Sequence, residues 1–233
     1  MDALYLKDSY QKEFTARIIN VEGNFVYLNQ TAFYPNSGGQ PHDTGSLYKG
    51  KEEFNVLFTT KMSGKIAHQV DKTGLKINDE VKGYINWDRR YKLMRMHTAA
   101  HIISEMFHKE TNALITGNQL DLEQSRIDFS LENFDKNKIA ECIKKSNEIV
   151  KNNLPIKVYF LSREKAMKIP QVTKLAMGLP EAIKEVRIVE IQGYDKQADG
   201  GTHVKSTKEV GEIKFLKAEN KGKDNRRVYF TLS

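Results

Sequence analysis

The chain is poor in features that mark secreted or membrane-spanning proteins. It has a single cysteine, Cys142, among 233 residues, which excludes an internal disulfide and fits a reducing compartment such as the cytosol. No stretch approaches the roughly 20 apolar residues that span a bilayer. Residues 1–7 lack the basic and apolar runs of a secretory signal. Repeats and low-complexity tracts are absent too, so we expect a globular cytoplasmic protein with no membrane segment.

Composition and charge favour a folded protein with a polyanionic partner. Hydrophobic residues make up 39% and charged residues 29% of the chain, which is typical of a globular domain rather than a disordered tail. The formal net charge of +7 favours RNA, DNA or an anionic membrane as a partner. No basic amphipathic helix with an aromatic face is evident, which weakens the membrane alternative. Candidate phosphate contacts are Arg89, Arg90, Lys92, Arg95, Lys221, Lys223, Arg226 and Arg227.

Residues 1–87 contain short β-rich segments separated by turn residues. The pattern predicts strands at residues 14–19, 24–28, 54–58, 66–70 and 80–85. Several short strands at this spacing are typical of a small antiparallel barrel. A turn-rich loop with the paired glycines Gly38 and Gly39 lies between the second and third of them.

From Asp88 onward the pattern becomes mixed. Apolar residues at three- and four-residue steps predict a helix that Asp88 caps and that runs to about Lys109. Further predicted elements are a helix at residues 138–151, strands at 125–130, 156–160, 186–191, 211–215 and 227–231, and helical turns at 164–168 and 180–184. The predicted fold class is therefore α+β, with an N-terminal antiparallel β-barrel domain at residues 1–87 and a metal-binding α+β domain at residues 88–233.

Two short segments carry pairs of candidate metal ligands at four-residue spacing. His97 and His101 lie in His-Thr-Ala-Ala-His, and Asp199 and His203 lie in Asp-Gly-Gly-Thr-His. On a helix the first pair falls on one face, one turn apart. Zinc accepts imidazole nitrogen and carboxylate oxygen in tetrahedral sites, so the four residues predict one Zn²⁺ per chain. His108 would lie about 10 Å further along the helix, too far to share the ion.

These motifs resemble the editing domain of alanyl-tRNA synthetase and its free-standing relatives, the AlaX proteins. That family binds zinc through HxxxH and a later CxxxH, usually Cys-Gly-Gly-Thr-His, and this chain departs from it only in Asp199. The glycine-rich segment at residues 31–41 and the segments at 87–90, 126–130 and 187–189 also fit in order. The resemblance covers nearly the whole chain. It implies a deacylase of the medium-length AlaX type, with the fold shared by the threonyl- and alanyl-tRNA synthetase editing domains. Such a protein would act in trans on tRNA(Ala) mischarged with serine, and related forms also remove glycine.

The resemblance also implies roles for two residues of the glycine-rich segment. Thr31 would hydrogen-bond the serine hydroxyl, and Gln40 would contact the ester or the terminal adenosine. Without the resemblance, Thr31 is an ordinary β-branched strand residue and Gln40 a residue leaving a turn. Asp199 keeps the charge of a thiolate but is harder, so the site should tolerate manganese or iron better. The alternative for Asp199 is a turn residue, with water as the fourth ligand.

Several alternatives stay open at this level. The ion could activate water or polarise the ester if it keeps an open position, or it could orient substrate if four protein ligands close the site. Editing of Ser-tRNA(Thr), an RNA-binding module with a structural zinc and no turnover, and hydrolysis of small esters are the competing functions. The oligomeric state is not predicted by any feature of the sequence.

Overall fold

The computed structural model describes residues 2–131, 135–170, 172 and 184–233. The chain divides into two compact units, Met1–Leu93 and Met94–Ser233. Compact units defined by packing need not be independent folding domains, so the predicted domain boundary at residue 87 stays a prediction. The helical turn predicted at residues 180–184 lies, apart from its last residue, outside the described part of the chain.

The first unit is rich in strands, and the second combines strands with helices. The first contains β1 (Asp2–Ala3), β2 (Glu13–Glu22), β3 (Phe25–Leu28), β4 (Gln30–Thr31), β5 (Gly45–Lys49), β6 (Glu52–Met62), β7 (Lys65–Val70) and β8 (Glu80–Ile85). Helix α1 (Trp87–Thr111) begins in the first unit and ends in the second. The second unit also contains β9 (Ile115–Gln119), β10 (Ser125–Phe129), α2 (Lys136–Lys151), β11 (Ile156–Ser162), α3 (Arg163–Ala166), β12 (Glu185–Ile191), β13 (Asp195–Ala198), β14 (Ile213–Asn220) and β15 (Arg226–Leu232).

The first unit contains a closed antiparallel barrel with strand order β2-β3-β7-β6-β5-β8. Strands β1 and β4 form a separate parallel pair. Alternate residues of β2 point inward, so that Phe14 and Ile18 are buried while their neighbours are exposed. A Cβ at Gly83 would lie 2.4 Å from the Phe14 ring, so the missing side chain makes room for this ring in the core. The predicted barrel is confirmed. Strand β5, which closes it between β6 and β8, was not predicted.

The second unit combines helices with two antiparallel sheets. One sheet has the order β14-β15-β10-β9 and the other β11-β12-β13. The Phe107 ring of α1 stacks on Phe129 of β10 with ring centroids 4.4 Å apart. Together the two units confirm the α+β class. Within the described residues, no helix has both the length and the apolar character to cross a membrane.

The predicted start of α1 was wrong by two residues. The helix begins at Trp87, so Asp88 lies in its first turn rather than at the cap. Asn86 takes the capping role, because its side-chain oxygen accepts the Arg89 N–H at 3.2 Å. Asp88 still adds a negative charge where the helix dipole favours one.

Candidate metal centre and glycine-rich segment

The four predicted ligands come together in the second unit. One ligand atom from each of His97, His101, Asp199 and His203 lies within 4.8 Å of the others. The rings of His97 and His101 have centroids 5.3 Å apart, and the His203 ring lies 4.4 Å from the first and 4.7 Å from the second. All three imidazoles are buried. Helix α1 therefore supplies two candidate ligands from one face, and the segment after β13 supplies the other two.

The Asp199 carboxylate is at once a turn residue and a member of this cluster. Its Oδ1 accepts the Gly201 N–H at 2.8 Å and lies 2.8 Å from Nε2 of His203. Its Oδ2 lies 3.6 Å from Nε2 of His97. Asp199 can therefore be both a turn residue and a candidate ligand, since one carboxylate closes the turn and faces the histidines. The Arg187 guanidinium donates to the Asp199 carbonyl at 2.9 Å and holds the backbone of this segment.

The glycine pairs Gly38-Gly39 and Gly200-Gly201 differ in backbone conformation. Gly38 and Gly39 both have positive φ, 59° and 83°, which is the conformation of a two-residue hairpin turn that glycine adopts without strain. That turn is closed by backbone bonds between Ser37 and Gln40. Neither residue of the Gly200-Gly201 pair has positive φ. The bond to the Asp199 side chain, rather than a left-handed glycine, therefore shapes the second motif.

Thr98 is a supporting residue that sequence spacing did not identify. Its Oγ1 lies 3.1 Å from Nδ1 of His203 and accepts the Val204 N–H at 3.4 Å. With a cation bound at Nε2, the ring proton of His203 would lie on Nδ1 and would be donated to this hydroxyl, which would fix the orientation of the ring. Thr98 follows the first ligand of the HxxxH motif, but the motif itself gives no signal for this contact.

A second supporting group faces His101. The Nδ1 of His101 is buried without a hydrogen bond among the described residues, and it lies 3.4 Å from Oδ2 of Asp195. Asp195 begins β13 and its side chain is fully buried. Carboxylates in this position commonly orient the histidine ligands of metals. An orphaned imidazole nitrogen beside a buried carboxylate, together with three imidazoles and one carboxylate as donors, fits a zinc site.

The protonation states of the cluster also suit a cation. Burial lowers the pKa of His97 to about 4, and burial is the main reason that the pKa of His203 lies well below its ordinary value. Burial by itself raises the pKa of Asp199, but the facing His97 and His203 rings outweigh it and hold that pKa well below its usual range. Neutral imidazoles beside an ionised carboxylate are the forms that bind a divalent metal.

Thr31 and Gln40 lie in the first unit and both are fully buried. Thr31 ends β4, where its Oγ1 accepts the Phe33 N–H at 3.1 Å and lies 2.9 Å from Nε2 of His68. Gln40 ends the hairpin turn after Gly39. His68 was not identified from the sequence, because no spacing relates it to Thr31.

Two of the predicted phosphate contacts, Arg90 and Arg226, were wrong, because both side chains are buried. Arg90 is fully buried: it donates to the Asp43 carboxylate, to the Ser9 carbonyl at 2.8 Å and to the Ala32 carbonyl. Asp43 in turn accepts the Tyr34 N–H at 2.6 Å. The Arg90–Asp43 pair thus holds the glycine-rich segment and is not available to phosphate.

Three other arginines of that set also make contacts within the protein. Arg226 is buried and donates to backbone carbonyls of its own hairpin. Arg95 donates to the carbonyls of Val210 and Ser233, and Arg227 pairs with Asp128 at 2.7 Å. The remaining candidates, Arg89, Lys92, Arg95, Lys221, Lys223 and Arg227, stay predictions.

Two family descriptions match parts of the chain. Residues 186–229, which include the second ligand motif, match the threonyl and alanyl tRNA synthetase second additional domain. Residues 3–89, which include the barrel, match the class II (A) tRNA synthetases.

Curated relatives match almost the whole chain. The alanyl-tRNA editing protein AlaX-M of Methanosarcina barkeri is 52% identical, with 99% of this chain and 98% of that protein covered. The AlaX-M protein of Saccharolobus solfataricus is 50% identical, with 99% and 98% covered. The alanine–tRNA ligase of Pyrobaculum aerophilum is 37% identical over 98% of this chain but only 26% of its own length. The resemblance inferred from the motifs is confirmed: the chain belongs to the AlaX-M family of alanyl-tRNA editing proteins.

Proposed function

We propose that this protein is a deacylase that acts in trans on mischarged tRNA(Ala) and hydrolyses the ester between serine and the 3′ ribose. The observation that carries the proposal is the buried His97, His101, Asp199 and His203 cluster, formed in a chain of the alanyl-tRNA editing family. The net charge of +7 suits an RNA partner. Because the substrate is a tRNA, we also propose a cytoplasmic location.

The same four residues would hold one Zn²⁺. A zinc ion bound there can lower the pKa of a water toward 7 or polarise an ester carbonyl. The protein contributes the neutral imidazoles, the ionised Asp199 and the second contacts from Thr98 and Asp195, which restrict the rings to one orientation. Asp199 makes the donor set harder than a thiolate would, so Mn²⁺ and Fe²⁺ are competing ions for this site.

Selection of the amino acid would rest on the glycine-rich segment. Thr31 would accept a hydrogen bond from the serine hydroxyl, and Gln40 would contact the ester or the terminal adenosine. Alanine cannot form the Thr31 bond and leaves a buried polar group unpaired, which penalises the correctly charged tRNA. Both side chains are fully buried, so we infer that neighbouring groups shift before a substrate reaches them.

The test is deacylation of Ser-, Gly- and Ala-tRNA(Ala) and of Ser-tRNA(Thr) by the purified protein, with and without a chelator. We expect release of serine from tRNA(Ala) to be fastest, Ala-tRNA(Ala) to be spared, and the chelator to stop the reaction. Preference for tRNA(Thr) would favour the threonyl editing alternative. Binding of tRNA without release of any amino acid would reduce the protein to an RNA-binding module.

Variants connect this activity to the site. Thr31→Val should lower Ser-tRNA(Ala) hydrolysis at least tenfold, whereas Thr15→Val, an exposed threonine of the same barrel, should leave it unchanged. Asp199→Ala and Asp199→Asn should lower both zinc content and hydrolysis, with the exposed Asp224→Asn as control. Unchanged zinc content and activity in both Asp199 variants would remove that residue from the proposed site.

A further inference from the structure

A buried chain of hydrogen bonds runs through the barrel unit from Val26 to Phe33. Nδ1 of His68 lies 3.1 Å from the Val26 carbonyl oxygen, and Nε2 of the same ring lies 2.9 Å from Oγ1 of Thr31. Oγ1 of Thr31 also accepts the Phe33 N–H at 3.1 Å. The Phe33 ring meets the His68 ring edge to face, with centroids 5.4 Å apart, and so restricts its rotation.

The Val26 carbonyl determines which group donates and which accepts in each of these hydrogen bonds. A carbonyl oxygen only accepts, so the Val26 contact requires a proton on Nδ1 of His68. Burial lowers the pKa of this imidazole to about 4, so the ring is neutral at physiological pH and carries one proton only. Nε2 is then the acceptor. The 2.9 Å contact with Thr31 must therefore be a bond that the Thr31 hydroxyl donates.

The hydroxyl of Thr31 is thereby left with acceptor capacity alone. A hydroxyl has one proton to donate and two lone pairs. The proton is engaged by His68 and one lone pair by the Phe33 N–H. We propose that His68 is a positioning residue that locks Thr31 as an acceptor, so that the protein selects amino acids whose side chain can donate a hydrogen bond.

This inference rests on the proposed function in one respect, the contact between Thr31 and the amino acid. Given that contact, a serine hydroxyl donates to the remaining lone pair. Glycine and alanine offer no donor on the side chain, and they leave the lone pair unpaired. If the proton were on Nε2 instead, Thr31 would accept from both neighbours and present its own proton, and the selection rule would be reversed.

The activity test compares three variants of His68. His68→Phe removes both nitrogens. His68→Asn places an amide near the Nδ1 position and His68→Gln near the Nε2 position, so only the second can restore an acceptor for Thr31. We expect His68→Phe and His68→Asn to lower the ratio of Ser-tRNA(Ala) to Gly-tRNA(Ala) hydrolysis at least tenfold, and His68→Gln to retain most of it. Gln69→Ala, the neighbour on the opposite face of β7, is the matched control.

A double-mutant cycle separates positioning from a general effect on folding. If His68 acts through Thr31, His68→Phe should change nothing further in a Thr31→Val background. An equal loss of selectivity in that background, or an unchanged ratio in the single His68 variants, overturns the proposal.

A measurement without substrate completes the test. Nitrogen-15 NMR of the imidazole in the wild-type protein should show the proton on Nδ1 of His68, and a proton on Nε2 overturns the inference whatever the activity. A wild-type protein that releases no amino acid from any charged tRNA overturns the proposed function, while the NMR result still decides whether Thr31 is locked as an acceptor.

Discussion

Acid should destabilise the folded chain partly through a histidine enclosed in the barrel unit. His68 has no exposed surface, and burial lowers its pKa from 6.5 to about 4 although the bond to the Val26 carbonyl opposes the shift. Between these two pH values the unfolded chain binds a proton at this residue and the folded chain does not. The free energy of unfolding therefore falls as the pH is lowered through this window, and above pH 6.5 the residue has no further effect.

The magnitude follows from the size of the pKa difference. Each pKa unit corresponds to about 1.4 kcal/mol, so the difference between the two pKa values lowers the free energy of unfolding by at most roughly 3 kcal/mol. At pH 5 most unfolded molecules carry the proton while few folded ones do. The contribution lost between pH 8 and pH 5 is then about 2 kcal/mol.

Urea unfolding at pH 8 and pH 5, in the presence of a chelator, measures this loss. The stability of His68→Gln should fall by about 2 kcal/mol less than that of the wild type, because the variant has no titrating group at this position. Other histidines and carboxylates contribute to both proteins and cancel in the difference. Equal decreases in the two proteins would refute the assignment of a buried neutral imidazole.

Three further predictions concern other parts of the molecule. Zinc at about 100 times its Kd should stabilise the metal-free protein by roughly 3 kcal/mol, measured by calorimetry; an unchanged Tm would contradict a metal site. Arg90→Met should lower stability to urea by roughly 3–5 kcal/mol, because it leaves the fully buried Asp43 carboxylate without its cation; a loss below 1 kcal/mol would show that the pair is not the main support of the segment. Burial raises the pKa of the Cys142 thiol to about 11, so Ellman's reagent should react with this residue only after unfolding, and rapid labelling of the native protein would contradict its burial.

Local patterns determined a large part of what could be predicted. The alternation of β2 and the long periodic stretch of α1 are properties of neighbouring residues, and both elements were located to within a few residues. The polar strands β5 and β13 were missed, since they are strands through pairing with distant segments. Their own residues lack the apolar alternation that marks a strand.

The candidate ligands were recognisable from the sequence for the same reason. Four-residue spacing on a helix places His97 and His101 on one face by local geometry alone, and the second motif carries its own turn. Their convergence on one point, within 4.8 Å, is a result of tertiary structure.

The sequence by itself determined the fold class, the family and the candidate ligand set, because these depend on motifs and short-range periodicity. Only the tertiary structure decided that Arg90 is enclosed by Asp43, 47 residues away, rather than free to bind phosphate. It likewise decided that His68 meets Thr31 across 37 residues of chain. The charge and hydrogen-bonding capacity of a side chain are fixed by its type, but burial and partners come from segments far apart in the chain, and they determine which of its roles it can perform.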